Sequence, residues 1–289
     1  MVWVSTRDGM RLHLEEDGAG VPVLLVHGFT GNSSAWGREL KNLLSRRVRS
    51  VSVDLLGHGA SDKPEDPKRY ALNEMVDDLC QVLDACQIAR AVWVGYSMGG
   101  RIALAAAVRR PERVRALVLE GTSPGLEQAQ ERAQRVADDE RLARMLDDDG
   151  IEPFVTHWMS LPLFQTQRRL GPERLAAERS RRLQNSARAL AACLRGLGLG
   201  AQPSLWPELP AVRVPALLIV GERDPKFRGI AARMESAMPL ARTQLLPRAG
   251  HATHLERPTL YAEAVGRFCT QTIEERGGTR DEGCMDLRT

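Results

Sequence analysis

Lysine is nearly missing from this chain of 289 residues: four (Lys41, Lys63, Lys68, Lys226) among 40 basic residues. Arginine carries the positive charge, and 37 acidic residues reduce the formal net charge to +3. So small an excess, with no basic block on a polar tract, excludes the electrostatic footprint of a nucleic-acid-binding domain. No uninterrupted run of about 18 apolar residues occurs, so no membrane span is expected. The opening "MVWVSTRDGMRLHLEEDG" lacks an apolar core and does not read as a secretory signal. The five cysteines (Cys80, Cys86, Cys193, Cys269, Cys284) show no C-x-x-C or metal-ligand spacing. That argues against a disulfide framework or a structural zinc site and for a reducing cytoplasm. Internal repeats and low-complexity tracts are also missing.

What remains is an ordinary globular composition, 43% hydrophobic and 27% charged, with a regular alternation of elements. "VWVSTRDGMRLHLEE" reads as a hairpin turning at Asp8-Gly9. "VPVLLVHG" (Val21 to Gly28), "VRSVSVDLLGHG" (ending at Gly57), "RAVWVGYS", "RVRALVLEG", "VPALLIVGERD" and "RTQLLP" read as further strands. The continuous apolar runs among them mark strands buried on both faces. Helical spacing, as in "ALNEMVDDLCQVLDAC", falls between them. Such a string folds as an α/β domain with a mostly parallel sheet covered by helices on both sides.

The alternation stops after Gly121 and resumes near Val212. The roughly ninety residues between are amphipathic helix with Gly/Pro breaks, expected as a lid over the carboxyl ends of the strands. The expected division is core at 1–122 and 211–276, helical lid at 123–210 after the sixth strand, and a mobile tail at 277–289.

At the end of "RAVWVGYS" stands "GYSMGGR". A G-x-S-x-G sequence alone is a weak signal. Between the strand "AVWV" and the helix "MGGRIALAAAV" it reads as a nucleophile elbow with Ser97 at its apex. A serine hydroxyl needs a base, and the base an orienting acid, here in the chain order Ser, Asp or Glu, His. "GERDPKF" offers Asp224 at a strand end, with Glu222 as rival. "AGHATH" offers His251 in the loop after the last strand, with His254 as rival. The backbone N–H groups of Met98 and of Phe29, in "HGFTG", fit an oxyanion hole. His27 reads as structural, and His58 is given no role.

Arg101 follows Ser97 by four residues and shares its face of the helix, one turn deeper. A charge so near a catalytic hydroxyl is costly to bury without an anionic partner, which suggests a carboxylate on the substrate. The alternative is a snorkelling arginine with its stem on the sheet.

"HGFTGN", "GYSMGGR", "EGTSPGL", "GERDPKF" and "AGHATH" together resemble the SHCHC synthases of menaquinone biosynthesis, from about Val21 to Pro258. The resemblance implies an α/β-hydrolase fold that does not hydrolyse. Its implied reaction is loss of pyruvate from 2-succinyl-5-enolpyruvyl-6-hydroxy-3-cyclohexene-1-carboxylate, a small tricarboxylate, with no cofactor and no metal. It also implies three carboxylate-binding arginines. Arg101 matches the first by motif, Arg135 the second with Arg132 as rival, and Arg182 the third with Arg181 as rival. Tyr96 and Trp158, in "THWMSLPLF", match pocket positions. Both lid arginines also sit four residues after a glutamate (Glu131, Glu178), an ordinary surface-pair spacing.

Overall fold

The computed structural model describes residues 2–45 and 48–277. The expected tail at 277–289 lies outside the described residues except for Gly277, and so does Cys284. An eight-stranded sheet is formed by β1 (Val2–Ser5), β2 (Arg11–Asp17), β3 (Val21–Val26), β4 (Val48–Val53), β5 (Ala91–Tyr96), β6 (Val114–Glu120), β7 (Ala216–Gly221) and β8 (Ala241–Leu246). Its order is β1-β2-β4-β3-β5-β6-β7-β8. Only the β1–β2 and β2–β4 pairings are antiparallel.

Alternation along the central strands explains why helices cover both faces. Leu24, Val26, Trp93, Leu117 and Leu218 enter one core, with helices α2 (Leu72–Ala85), α3 (Met98–Arg109) and α8 (Pro225–Ala237). Their neighbours Val23, Leu25, Val92, Val94 and Val118 enter the opposite core. There they meet α1 (Gly37–Leu44) and, beyond the short α9 (Thr253–Glu256), the long α10 (Pro258–Gly277). A strand apolar on both sides has no solvent face to offer, so the sheet is sandwiched.

The fourth strand is shorter than its apolar run. It ends at Val53, and residues 54–57 turn instead of pairing. The cause is Asp54, whose buried carboxylate accepts the N–H groups of Ser33 and Ala60 at 2.5 and 2.8 Å. A side chain that captures backbone donors competes with the ladder and closes a turn.

Between β6 and β7 lie α4 (Ala129–Asp148), α5 (Ile151–Ser160), a 3₁₀ segment Pro162–Leu170, α6 (Pro172–Leu183) and α7 (Ala187–Leu197). These helices have a core of their own, including Leu146, Phe154, Val155 and Leu190. Phe29, from the loop after β3, packs against both this core and the main one, so it hinges the two together. Among the described residues no helix is long and apolar enough to cross a membrane. The four described cysteines are buried and free.

Candidate active site

The turn from β5 into α3 is built by glycines. A Cβ on Gly99 would fall on the carbonyl oxygens of Val26 and His27, and one on Gly95 would approach Gly100 N to 2.6 Å. The helix therefore starts directly against β3, and Ser97 is forced to φ 50°, ψ −108°. A non-glycine residue held there stores on the order of 1–3 kcal/mol, a pattern concentrated at functional sites. The Ser97 carbonyl is fixed by the N–H of Arg101 and the hydroxyl of Thr122, at 3.1 and 2.8 Å. Met98 is the first residue of α3, so its N–H lies in the turn that lacks intrahelical acceptors.

His251 and Asp224 meet across two loops. Nδ1 of His251 lies 3.0 Å from Asp224 Oδ2, with both side chains buried. Asp224 also accepts the Phe227 N–H at 3.2 Å, capping α8 and fixing its carboxylate. The two rivals are engaged elsewhere. Glu222 accepts the N–H of Arg248 at 2.7 Å. His254 is locked to the buried carboxylate of Glu120, Nδ1 to Oε2 at 2.8 Å, and packs on Tyr96.

His27 is fixed at both ring nitrogens: Nδ1 lies 2.8 Å from Gly28 O, and Nε2 accepts the Leu55 N–H at 3.0 Å. That network requires Nδ1 to carry the proton and leaves the ring neutral, and burial lowers its pKa further. It shapes the loop that presents Phe29. Burial, with the His27 ring beside it, pushes His58 down to about 3.

A cavity of about 140 Å³ opens over Ser97 and His251. Phe29, Tyr96 and Met98 line it, as does Trp158, whose indole Nε1 is buried without a hydrogen-bond partner. Three cations line it as well: Arg101, Arg135 and Lys226. Among the described residues no carboxylate does. Arg101 donates through Nη1 to Leu197 O and Gln202 Oε1, at 2.9 and 2.5 Å. Burial, with Arg135 nearby, draws its pKa down to about 10, so it stays charged at neutral pH.

The lid arginines separate. Arg135 reaches the cavity while its Nε donates to Asp139 at 2.8 Å. Arg132 instead caps the chain before α4, donating to the carbonyls of Leu126 and Glu127. Arg182 does not line the cavity. It donates to Glu178, one turn back, at 3.0 Å, and its guanidinium lies 5.9 Å from the Phe164 ring. Arg181 shares the same carboxylate at 2.6 Å. Conversely, Lys226 was not singled out by motif reasoning. Its signal was its place two residues after Asp224, in the first turn of the helix that Asp224 caps.

Residues 21–258 match the α/β hydrolase fold family. The molecule is thus of the class in which a parallel sheet presents a nucleophile elbow beneath a variable cap. A provisionally named 2-succinyl-6-hydroxy-2,4-cyclohexadiene-1-carboxylate synthase of Bacillus subtilis (strain 168) is 40% identical over 92% of the chain and 97% of its own length. The synthase of that name from Escherichia coli O1:K1 is 33% identical, over 83% and 90%. The structure of MenH from S. aureus superposes with a TM-score of 0.85 at 31% identity, covering 90% of this chain and 98% of that one. The chain belongs to the 2-succinyl-6-hydroxy-2,4-cyclohexadiene-1-carboxylate (SHCHC) synthase branch of the α/β-hydrolase-fold family. An enol-lactonase from Burkholderia xenovorans LB400 shares the fold, with a TM-score of 0.81 at 24% identity.

Proposed function

We propose that the protein eliminates pyruvate from 2-succinyl-5-enolpyruvyl-6-hydroxy-3-cyclohexene-1-carboxylate, giving SHCHC for menaquinone biosynthesis in the cytoplasm, without metal or cofactor. The observation that carries this reading is the charge of the cavity: Arg101, Arg135 and Lys226 face it, and among the described residues no carboxylate does. Three cations gathered around an uncharged ester repel one another, and the Asp139 carboxylate paired with Arg135 offsets this only in part. Around a tricarboxylate they become the binding energy, with each guanidinium able to grip a carboxylate through two parallel hydrogen bonds.

In the reaction His251, oriented by Asp224, takes the hydroxyl proton of Ser97 as the serine oxygen removes the proton α to the succinyl ketone. The electron pair moves to the ketone oxygen, and the enolate sits against the N–H groups of Phe29 and Met98. Return of that pair through the ring alkene breaks the C–O bond to the enolpyruvyl group. Pyruvate leaves as its enolate and takes up the proton held by the serine–histidine pair. The unpartnered Trp158 indole N–H and the Tyr96 ring complete the substrate wall. Arg182 joins by exchanging Glu178 for a substrate carboxylate.

Incubating the full chain with the pathway intermediate and following pyruvate release, beside hydrolysis of a simple ester, tests the assignment. Fast pyruvate release with slow ester cleavage is expected. Rapid ester hydrolysis without pyruvate release would make the protein a hydrolase of this fold.

A further inference from the structure

The 3₁₀ segment Pro162–Leu170 has two sides. Leu163 and Phe164 wall the catalytic cavity, whereas Thr166 and Arg169 wall a second cavity of about 400 Å³. The core closes this second cavity with Arg223, Arg248, Glu256 and Arg257. Four guanidinium groups and one carboxylate therefore meet in it. The carboxylate is already engaged: Glu256 accepts the hydroxyl of Thr166 at 2.9 Å and the N–H of Gly250 at 3.0 Å. Among the described residues none of the four guanidinium groups has an ion pair or a hydrogen-bond acceptor. Some arginines elsewhere are saturated by carboxylates, although Arg109 and Arg115 also keep buried nitrogens without hydrogen-bond partners. Arg69 divides its donors between Asp8 and Asp78, and Arg195 between Glu140 and Asp147.

Arg257 sharpens the point, because its Nε is buried and has no hydrogen-bond partner. A buried donor without an acceptor is costly, and the like charges of Arg169, Arg223 and Arg248 beside it, which are exposed to water, repel one another. A ligand with several negative oxygens removes both penalties together, since guanidinium forks match carboxylate and phosphate geometry.

We propose that this cavity is a second anion site, taking a small multivalent oxyanion of the phosphate or carboxylate type and clamping the lid onto the loops that carry the triad. Each contributing segment has a functional neighbour. Arg223 directly precedes Asp224, Arg248 stands three residues before His251, and Glu256 holds Gly250, the residue before His251. Arg169 comes from the opposite side, on the segment whose Phe164 packs against His251 at a ring separation of 6.2 Å. An anion shared by Arg169, Arg223 and Arg248 ties all three segments together, whichever reaction the catalytic cavity performs.

The test titrates inorganic phosphate and citrate separately into the full chain at constant ionic strength, with chloride as control, reading heat of binding and Tm. A single saturable site is expected for at least one anion, with a raised Tm and slower proteolysis within residues 162–170. Phosphate binding alone assigns a phosphate-type ligand, and citrate binding alone a carboxylate type. Arg257→Gln and Arg223→Gln should each weaken binding at least tenfold, while Arg101→Met leaves it unchanged. Arg223 is exposed, so its variant keeps the test decisive even where Arg257→Gln fails to fold. No saturable binding beyond chloride, binding indifferent to Arg223→Gln, or binding lost in Arg101→Met would overturn the assignment.

Discussion

Arg182 lies one helical turn beyond Glu178 on α6 and donates to its carboxylate at 3.0 Å, beneath the ring of Phe164. The pair is nearly closed to solvent, and Arg182 does not line the cavity. If substrate recruits Arg182, Arg182→Met lowers kcat/KM for the tricarboxylate about tenfold, the worth of one charge-assisted contact. Glu178→Gln weakens the competing partner and should lower KM. An Arg182→Met variant with wild-type kcat/KM and a lowered Tm would restrict this arginine to holding the helix.

Ser97→Ala should reduce turnover roughly a thousandfold or more in a folded protein, because the three triad residues act as one unit. If Ser97 serves as a base, as proposed, mass spectrometry of rapidly quenched turnover should show unmodified protein. A substrate adduct on Ser97 that forms and decays at the turnover rate would indicate nucleophilic chemistry instead.

Arg101→Met preserves the aliphatic stem while deleting the donors. A desolvated charge-assisted contact is worth about 1.5–3 kcal/mol, so kcat/KM for the tricarboxylate should fall roughly tenfold to a hundredfold. Activity on a neutral ester, measured in parallel, should hold or rise. Equal losses on both substrates would reduce Arg101 to its bonds with Leu197 and Gln202.

Gly99→Ala tests the elbow itself. The added methyl meets two backbone carbonyls of a central strand, Val26 O and His27 O, which cannot yield as a flexible side chain would. A loss of about 3 kcal/mol or more is expected from the denaturant midpoint, beyond ordinary overpacking. A midpoint within experimental error of wild type would show that the elbow is not packed this tightly.

Acid should unfold the protein partly through His58, whose folded pKa is pushed to about 3 by burial and by His27 beside it. Between that value and the ordinary histidine pKa, the unfolded chain binds a proton that the folded chain refuses. Stability is therefore fully present above about pH 6.5 and declines as pH falls toward 3, by up to about 1.4 kcal/mol per unit. His58→Asn should flatten the dependence of Tm on pH across that window. An unchanged slope would assign the acid sensitivity to other groups.

The sequence by itself determined the sheet, the elbow and the chain order of Ser97, Asp224 and His251. Each depends on local rules: apolar runs that bury both faces of a strand, glycines at fixed offsets from Ser97, and an acid and a histidine just beyond strand ends. Arg101 was legible for the same reason, because four residues along a helix fix a shared face. Contacts across elements decided the rest. Arg132 and Arg135 stand three residues apart on α4, and only the packing of the lid turns Arg135 to the cavity and Arg132 to the helix start. Arg182 and Arg181 both pair with Glu178, as their spacing allows, but only the packed lid shows that neither lines the cavity. Lys226 enters from the first turn of α8, and the cavity of unpaired arginines gathers residues from 169 to 257. Spacing along a chain sets local geometry, whereas the choice among several equally spaced charges is settled by whichever partner the tertiary fold brings within reach and desolvates.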